Sequence, residues 1–302
     1  MKRKPGNFQI LQEGTEMKSA GVLFQKKDIR WIFIFFLGIS ILFLWNFLFL
    51  NPPSLKLIGK AFSNSIVTSM LVIFFSLLLG WLTVNLQQYL ISSERKYLLA
   101  AFQFILNMIR SIPQIVGILI GYVGLTILIE QDILKNDTQL IMLTALIISI
   151  FIFLEVADLL EERITFFRRM DFYEAMMVCG ISEFRIRNIE ILSKNSMPHL
   201  MNKTISILGS SIFLQCSIDF ILSVGLSDRV SSMNFPVTMG SLLAKIDSKQ
   251  DILAIGMAIT NPEYFPSLFF VHLQGITAAF LISFTLLCIY NISDGFSERK
   301  KL

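Results

Sequence analysis

The sequence predicts an all-α, polytopic transmembrane bundle of six spans, and three observations carry that prediction. Hydrophobic residues make up 54% of the 302 and charged residues only 16%, with a mean hydropathy of +0.66. A soluble chain carries about a quarter charged residues. Six separate apolar runs reach the roughly twenty residues that a helix needs to cross a hydrocarbon core. Lys and Arg gather in alternate connecting segments rather than along one stripe, which speaks against nucleic acid as a partner and for a positive-inside membrane protein. This composition excludes a secreted disulfide module, a disordered tail protein and an ordinary soluble enzyme.

Residues 1–30 are mostly polar and precede the first run by too far for a signal-peptide core, so they are expected to form a cytoplasmic N-terminal segment. The first span is Trp31–Leu50, followed by an external linker up to residue 62. Ser63–Leu86 is the second span. The third, Leu98–Ile129, is about ten residues longer than one crossing needs. Pro113 sits in its middle, where a missing donor and a steric clash predict a kink or a helix break. Gln139–Ala157, Leu200–Leu222 and Leu268–Asn291 complete the six, leaving a tail of residues 293–302. With the N-terminus inside, inner segments hold 18 Lys and Arg and outer segments hold 6. That threefold bias puts both termini in the cytoplasm.

Two connections are too long to be simple loops, a cytoplasmic one over 158–199 and an external one over 223–267. In the first, Asp171 is the expected N-cap of a short helix through Val178, with Glu174 in its first turn. Gly180 supplies the permissive residue just past the helix end. An amphipathic stretch follows over Glu183–Leu192, and Pro198 ends it. Such a glycine-ended helix can plug a groove on a cytoplasmic partner, or it can lie on lipid headgroups with Arg168 and Arg169 beneath it.

Glu174-Ala175-Met176, then Gly180, then Ile191-Leu192, resembles the EAA loop of permease subunits of binding-protein-dependent ABC importers, with Met176 in place of the motif's second alanine. The stretch from about Ser92 onward is similar to the second permease of dipeptide, oligopeptide and nickel importers. The shared features are Ser111-Ile112-Pro113, Gly225-Leu226, Met239-Gly240-Ser241-Leu242-Leu243 and a terminal turn over Asn291-Ile292-Ser293-Asp294-Gly295. The resemblance implies a type I ABC importer permease-like fold, with a permease core over 63–292 in a bacterial plasma (inner) membrane. It further implies that Glu174, Ala175, Gly180, Ile191 and Leu192 couple the chain to an ATPase. The implied partners are a second permease subunit, two cytoplasmic ATPase subunits and an external solute-binding protein docking on 223–267. The implied solute is a di- or oligopeptide first, and nickel or another small solute second.

Polar residues inside the spans are candidates for the translocation path: Asn107, Arg110, Pro113 and Gln114 on the third span, Gln215 and Asp219 on the fifth. Each has an alternative. A deep charge is costly, which favours Arg110 reaching back to the interface or to a partner. Gln215 and Asp219 can equally serve interhelical hydrogen bonding. His199, His272 and the three cysteines are too scattered for a metal site. No Gly-x-x-x-x-Gly-Lys-Ser/Thr loop, His-Glu-x-x-His or Gly-x-Ser-x-Gly occurs. The chain is therefore expected to be no enzyme and to need no cofactor, any ATP being hydrolysed on another subunit. A secondary transporter or channel is the first rival reading. An intramembrane enzyme or membrane scaffold is the second.

Overall fold

The computed structural model describes residues 26–131, 133–134, 136–225, 235–244, 246–270 and 273–300. About 90% of these are helical and none is in a strand. The helices in order are α1 (Lys27–Phe49), α2 (Pro52–Ser92), α3 (Lys96–Ser111), α4 (Gln114–Glu130), α5 (Asp137–Arg168), α6 (Asp171–Val178) and α7 (Glu183–Arg185), the last running into a π-helix over Ile186–Asn195. Then come α8 (Met197–Gly225), α9 (Met239–Leu243), α10 (Ile246–Thr260), a 3-10 turn over Pro262–Tyr264, α11 (Phe265–Phe270) and α12 (Leu273–Lys300). Five of them, α1, α2, α5, α8 and α12, are long and apolar enough to cross a membrane; α3 and α4 together make a sixth if counted as one bent span.

The centre of the bundle is a pair of parallel helices. Lys60 near the start of α2 pairs with Asp137 at the start of α5, and Gln87 near the end of α2 donates to Glu161 on α5. Val72 and Val84 of α2 pack with Ile148, Ile152, Val156, Leu160 and Ile164 of α5, all buried. α4 and α8 close this core through Ile118 and Tyr122, and through Ile207, Leu214 and Ile218. α1 is peripheral and runs antiparallel to α12, with Lys27 paired to Asp294 and Glu298 and with Thr277 donating to Asn46 at 2.9 Å. Most of its large apolar side chains are exposed, as expected of a surface that faces lipid tails.

These contacts place the described ends of the chain, Lys27 and the α12 terminus, at one end of the bundle. Arg95, Lys96, Arg163, Arg168 and Arg187 lie at that same end, which we term the basic end. Lys56 and Lys60 lie at the other.

Several sequence-based boundaries change. The external linker is helical from Pro52, because prolines at the first two positions start a helix well and Ile58 and Ala61 continue the buried stripe. α5 runs eleven residues past Ala157, to Arg168. There the uniformly apolar span turns amphipathic, yet Leu160 and Ile164 still fall on the core face. The third span is broken at Ile112–Pro113 with a bend of 96°. The break expected at Pro113 is there. Only α4 runs the length of the bundle, and α3, which buries none of its residues, lies across the basic end. Leu268–Asn291 is also shifted. Phe265–Phe270 and Leu273–Lys300 are described as separate helices, and the expected terminal turn at Asn291–Gly295 is helical, held by Ser293 and Ser297 to Asn202 and by Lys27 to Asp294.

Candidate functional site

The short helix expected over 171–178 forms as α6, bounded by Asp171 and Val178. Asp171 lies inside its first turn, and the N-cap position is Met170 with no side-chain bond. Both Asp171 and Glu174 sit near the positive end of the helix dipole. At the other end Ile181 N–H bonds Met176 C=O at 3.2 Å and Gly180 N–H bonds Met177 C=O at 3.0 Å. That paired pattern is a Schellman motif, which needs a left-handed residue at Gly180, and Gly180 has φ +76°. No residue of α6 is fully buried: Tyr173 and Met176 pack against the core, Phe172 and Met177 are partly exposed, and Val178, at 89% exposure, stands almost clear of the protein. Glu174, Ala175 and Gly180 thus belong to one projecting element. Ile191 and Leu192 do not: both lie in the core on the π-helix, where they anchor the loop from below.

A polar bracket holds the base of this element. Asn188 on the π-helix accepts from Trp81 Nε1 at 2.8 Å and donates to Asn85 Oδ1 at 3.2 Å. Arg187, buried beside it, donates to Asn85 at 3.1 Å and lies over the Phe184 ring. Burial lowers the pKa of the Arg187 guanidinium, while Glu183 opposes the shift. Arg168 at the end of α5 donates to Gln88 at 2.8 Å and pairs with Glu183. The bracket therefore joins α2, α5, α7 and the π-helix through charged and amide groups, which make stronger and more directional links than apolar contacts. None of Trp81, Asn85, Arg187 and Asn188 stands out as a partner set in the sequence. The periodic amides Asn85, Gln87 and Gln88, one turn past the uniformly apolar part of α2, are the only signal.

The six path candidates separate into two groups. Asn107, Arg110, Pro113 and Gln114 cluster at the basic end. Arg110 pairs with Asp158 at 2.5 Å and reaches Asn107 at 3.4 Å. Gln114 donates to Glu155 at 3.2 Å, and Glu155 also pairs with Lys203 at 2.6 Å. The α3–α4 break accounts for Arg110: it stands in the last turn of α3, ahead of the 96° bend, and pairs there with Asp158, about ten residues before the end of α5. Pro113 and Gln114 line an open groove of about 320 Å³ together with Ser210, Phe213 and Leu214 of α8.

Gln215 and Asp219 lie elsewhere, on a partly open cavity of about 50 Å³ in the opposite half of the bundle, lined also by Tyr122, Thr144 and Thr238. The segment 235–244 lines one side of it through Phe235, Pro236, Thr238 and Ser241. Thr238 forms a capping box with Ser241 at the start of α9 and donates to Asp219 Oδ2 at 2.5 Å. Asn64 donates to Val237 C=O at 2.8 Å, and Met239 N–H bonds Ser65 at 3.0 Å. Gly240 is required by close approach: a Cβ there would stand 2.6 Å from the Cys216 carbonyl oxygen. No sequence pattern marks Tyr122 or Thr238 as a partner of Asp219. The Thr238-x-x-Ser241 cap ahead of Gly240 was the available sign that this loop folds inward.

Among the described residues no group of three or more His, Cys, Asp or Glu is placed to hold a metal ion. His272, Arg229 and residues 226–234 of the expected external loop lie outside the described residues. Comparison with protein-family models and with curated proteins finds no match to this chain.

Proposed function

We propose that this chain is a membrane-spanning permease subunit of an ATP-driven, binding-protein-dependent importer. It forms half of a translocation path in a bacterial plasma membrane, with the basic end in the cytoplasm. The observation that carries the reading is α6, a glycine-ended helix with no fully buried residue, seated on the core by Tyr173 and Met176 and standing on a polar bracket tied to two long helices. A helix with exposed Phe172, Met177 and Val178 gains by inserting into a groove on another protein. A rigid base lets force applied there reach α2 and α5. The likeness of Glu174-Ala175…Gly180 to the EAA loop names the partner as a cytoplasmic ATPase subunit.

In the proposed cycle, ATP-driven closure of two such ATPases pushes α6 and the bracket as one body. The motion passes along α2 and α5 and alters the groove at Pro113, Gln114 and Phe213, which faces a second permease subunit. An external solute-binding protein delivers a small solute to the opposite end. A di- or oligopeptide is the first candidate and nickel the second, on the strength of the resemblance. Replacing Gly180 by Val tests this reading, since a left-handed β-branched residue costs about 1–2 kcal/mol. Uptake is expected to fall by at least about fivefold, with ATPase activity uncoupled and membrane insertion unchanged. Normal uptake in that variant contradicts the proposal.

A second reading, an ion-coupled secondary transporter, draws on the broken α3–α4 pair and on buried Asp219, since such transporters use interrupted helices and intramembrane carboxylates. Transport that persists without any ATPase favours it.

A further inference from the structure

Asp219 is buried near the far end of α8, and no Lys or Arg among the described residues pairs with it. Thr238 Oγ1 accepts the Ser241 N–H at 3.2 Å within the capping box. Its own proton is therefore directed to Asp219 Oδ2, 2.5 Å away. Tyr122 and Thr144 line the same cavity as Asp219. The carboxyl group thus accepts the Thr238 hydroxyl and shares its cavity with the hydroxyls of Tyr122 and Thr144, a setting that suits an ionised carboxylate. A buried charge without a counter-charge is costly, and proteins pair such charges or use them to hold a metal ion. The adjoining cavity supplies a second, independent sign. Gln215 lines it with both amide atoms buried and without a hydrogen-bond partner among the described residues.

We propose that this cavity binds one monovalent cation of sodium size. Asp219 supplies the balancing charge, while Gln215 Oε1 and the hydroxyl oxygens of Tyr122, Thr144 and Thr238 supply neutral oxygen ligands, the kind that hard cations take. A single carboxylate matches a single positive charge, whereas a divalent ion would leave net charge buried. About 50 Å³ admits an ion with one or two waters, one of which accepts from Gln215 Nε2. It does not admit an amino acid or a peptide. A bound cation ties α4, α5 and α8 to the segment 235–244 and so keeps that segment seated. The inference stands independently of the proposed importer function.

The test is the melting temperature of the full chain in detergent, in sodium chloride against choline chloride at equal ionic strength. Sodium is expected to raise it by about 3 °C or more in a saturable manner. Asp219→Asn is expected to abolish the difference, and Gln215→Leu, which keeps the carboxylate, to raise the half-saturating sodium concentration about tenfold. Should Asp219→Asn fail to fold, Gln215→Leu and Thr238→Val decide the matter. Equal melting in the two salts overturns the proposal, as does an unchanged sodium response in Gln215→Leu. A stability that follows pH but not sodium also overturns it, because the carboxyl then carries a proton.

Discussion

The segments 169–196 and 235–244 flank α8 at its two ends, and they are built in opposite ways. The first sends α6 outward with none of its residues buried, then returns through a π-helix whose Ile186, Ile191 and Leu192 sink into the core. The second folds inward, with Met239, Gly240 and Leu242 buried against α8 and α2. Each depends on one glycine, for different physical reasons. Gly180 supplies a backbone angle, with no atom within 4 Å of where a Cβ would stand; Gly240 supplies room, its place being fixed by the backbone of α8. A short helix whose glycine serves conformation is suited to meeting something outside the chain. A short helix whose glycine serves contact is suited to sealing the chain against itself.

Substitutions can break or sharpen this contrast. The largest effect is expected from Gly240→Leu, which drives a side chain into the Cys216 backbone and should destabilise the protein by about 3 kcal/mol. Gly256→Leu, on α10 with open space around it, is its control and should melt within a few degrees of the parent. Asn188→Leu follows. It strands Trp81 and Asn85 in the bracket and should cost about 1–2 kcal/mol, together with looser protection of backbone amides over 183–195 in hydrogen exchange. Val178→Asp should leave melting unchanged to within about 0.5 kcal/mol while lowering transport, because the side chain touches little of its own protein. A melting loss there as large as that of Asn188→Leu would show that Val178 packs on its own chain. Arg110→Ala is the smallest. Its pair with Asp158 is half exposed on both sides, so a cost of about 0–1 kcal/mol is expected, read as a shift of a few degrees at most.

The same contrast explains how much could be read from the sequence. The apolar runs mark the long helices because a hydrocarbon solvent demands uninterrupted apolar length. The helix over 171–178 and its Gly180 ending are legible because capping chemistry is local. What lay hidden depends on partners distant in the chain. α5 continues to Arg168 because Leu160 and Ile164 find the core, a change from uniform to amphipathic patterning that a hydropathy window passes over. Pro113 announces a break but carries no information about a 96° turn or about α3 lying across the basic end. Asp219 and Gln215 were visible as polar residues in a span. Their enclosure by Thr238 and Tyr122 follows from a re-entrant segment whose loop-like composition hides its burial.

The central claim is that α6 is a docking element for a cytoplasmic ATPase, and the chain carries its own probe for it. Cys179, at the end of α6, is exposed, whereas Cys216 and Cys288 are buried, so a thiol-directed crosslinker reports on α6 alone. In membranes that contain the transport partners, Cys179 is predicted to crosslink to a cytoplasmic ATPase subunit, in a yield that changes when ATP is added. Crosslinking to lipid alone, with no protein adduct in any nucleotide state, would contradict the account.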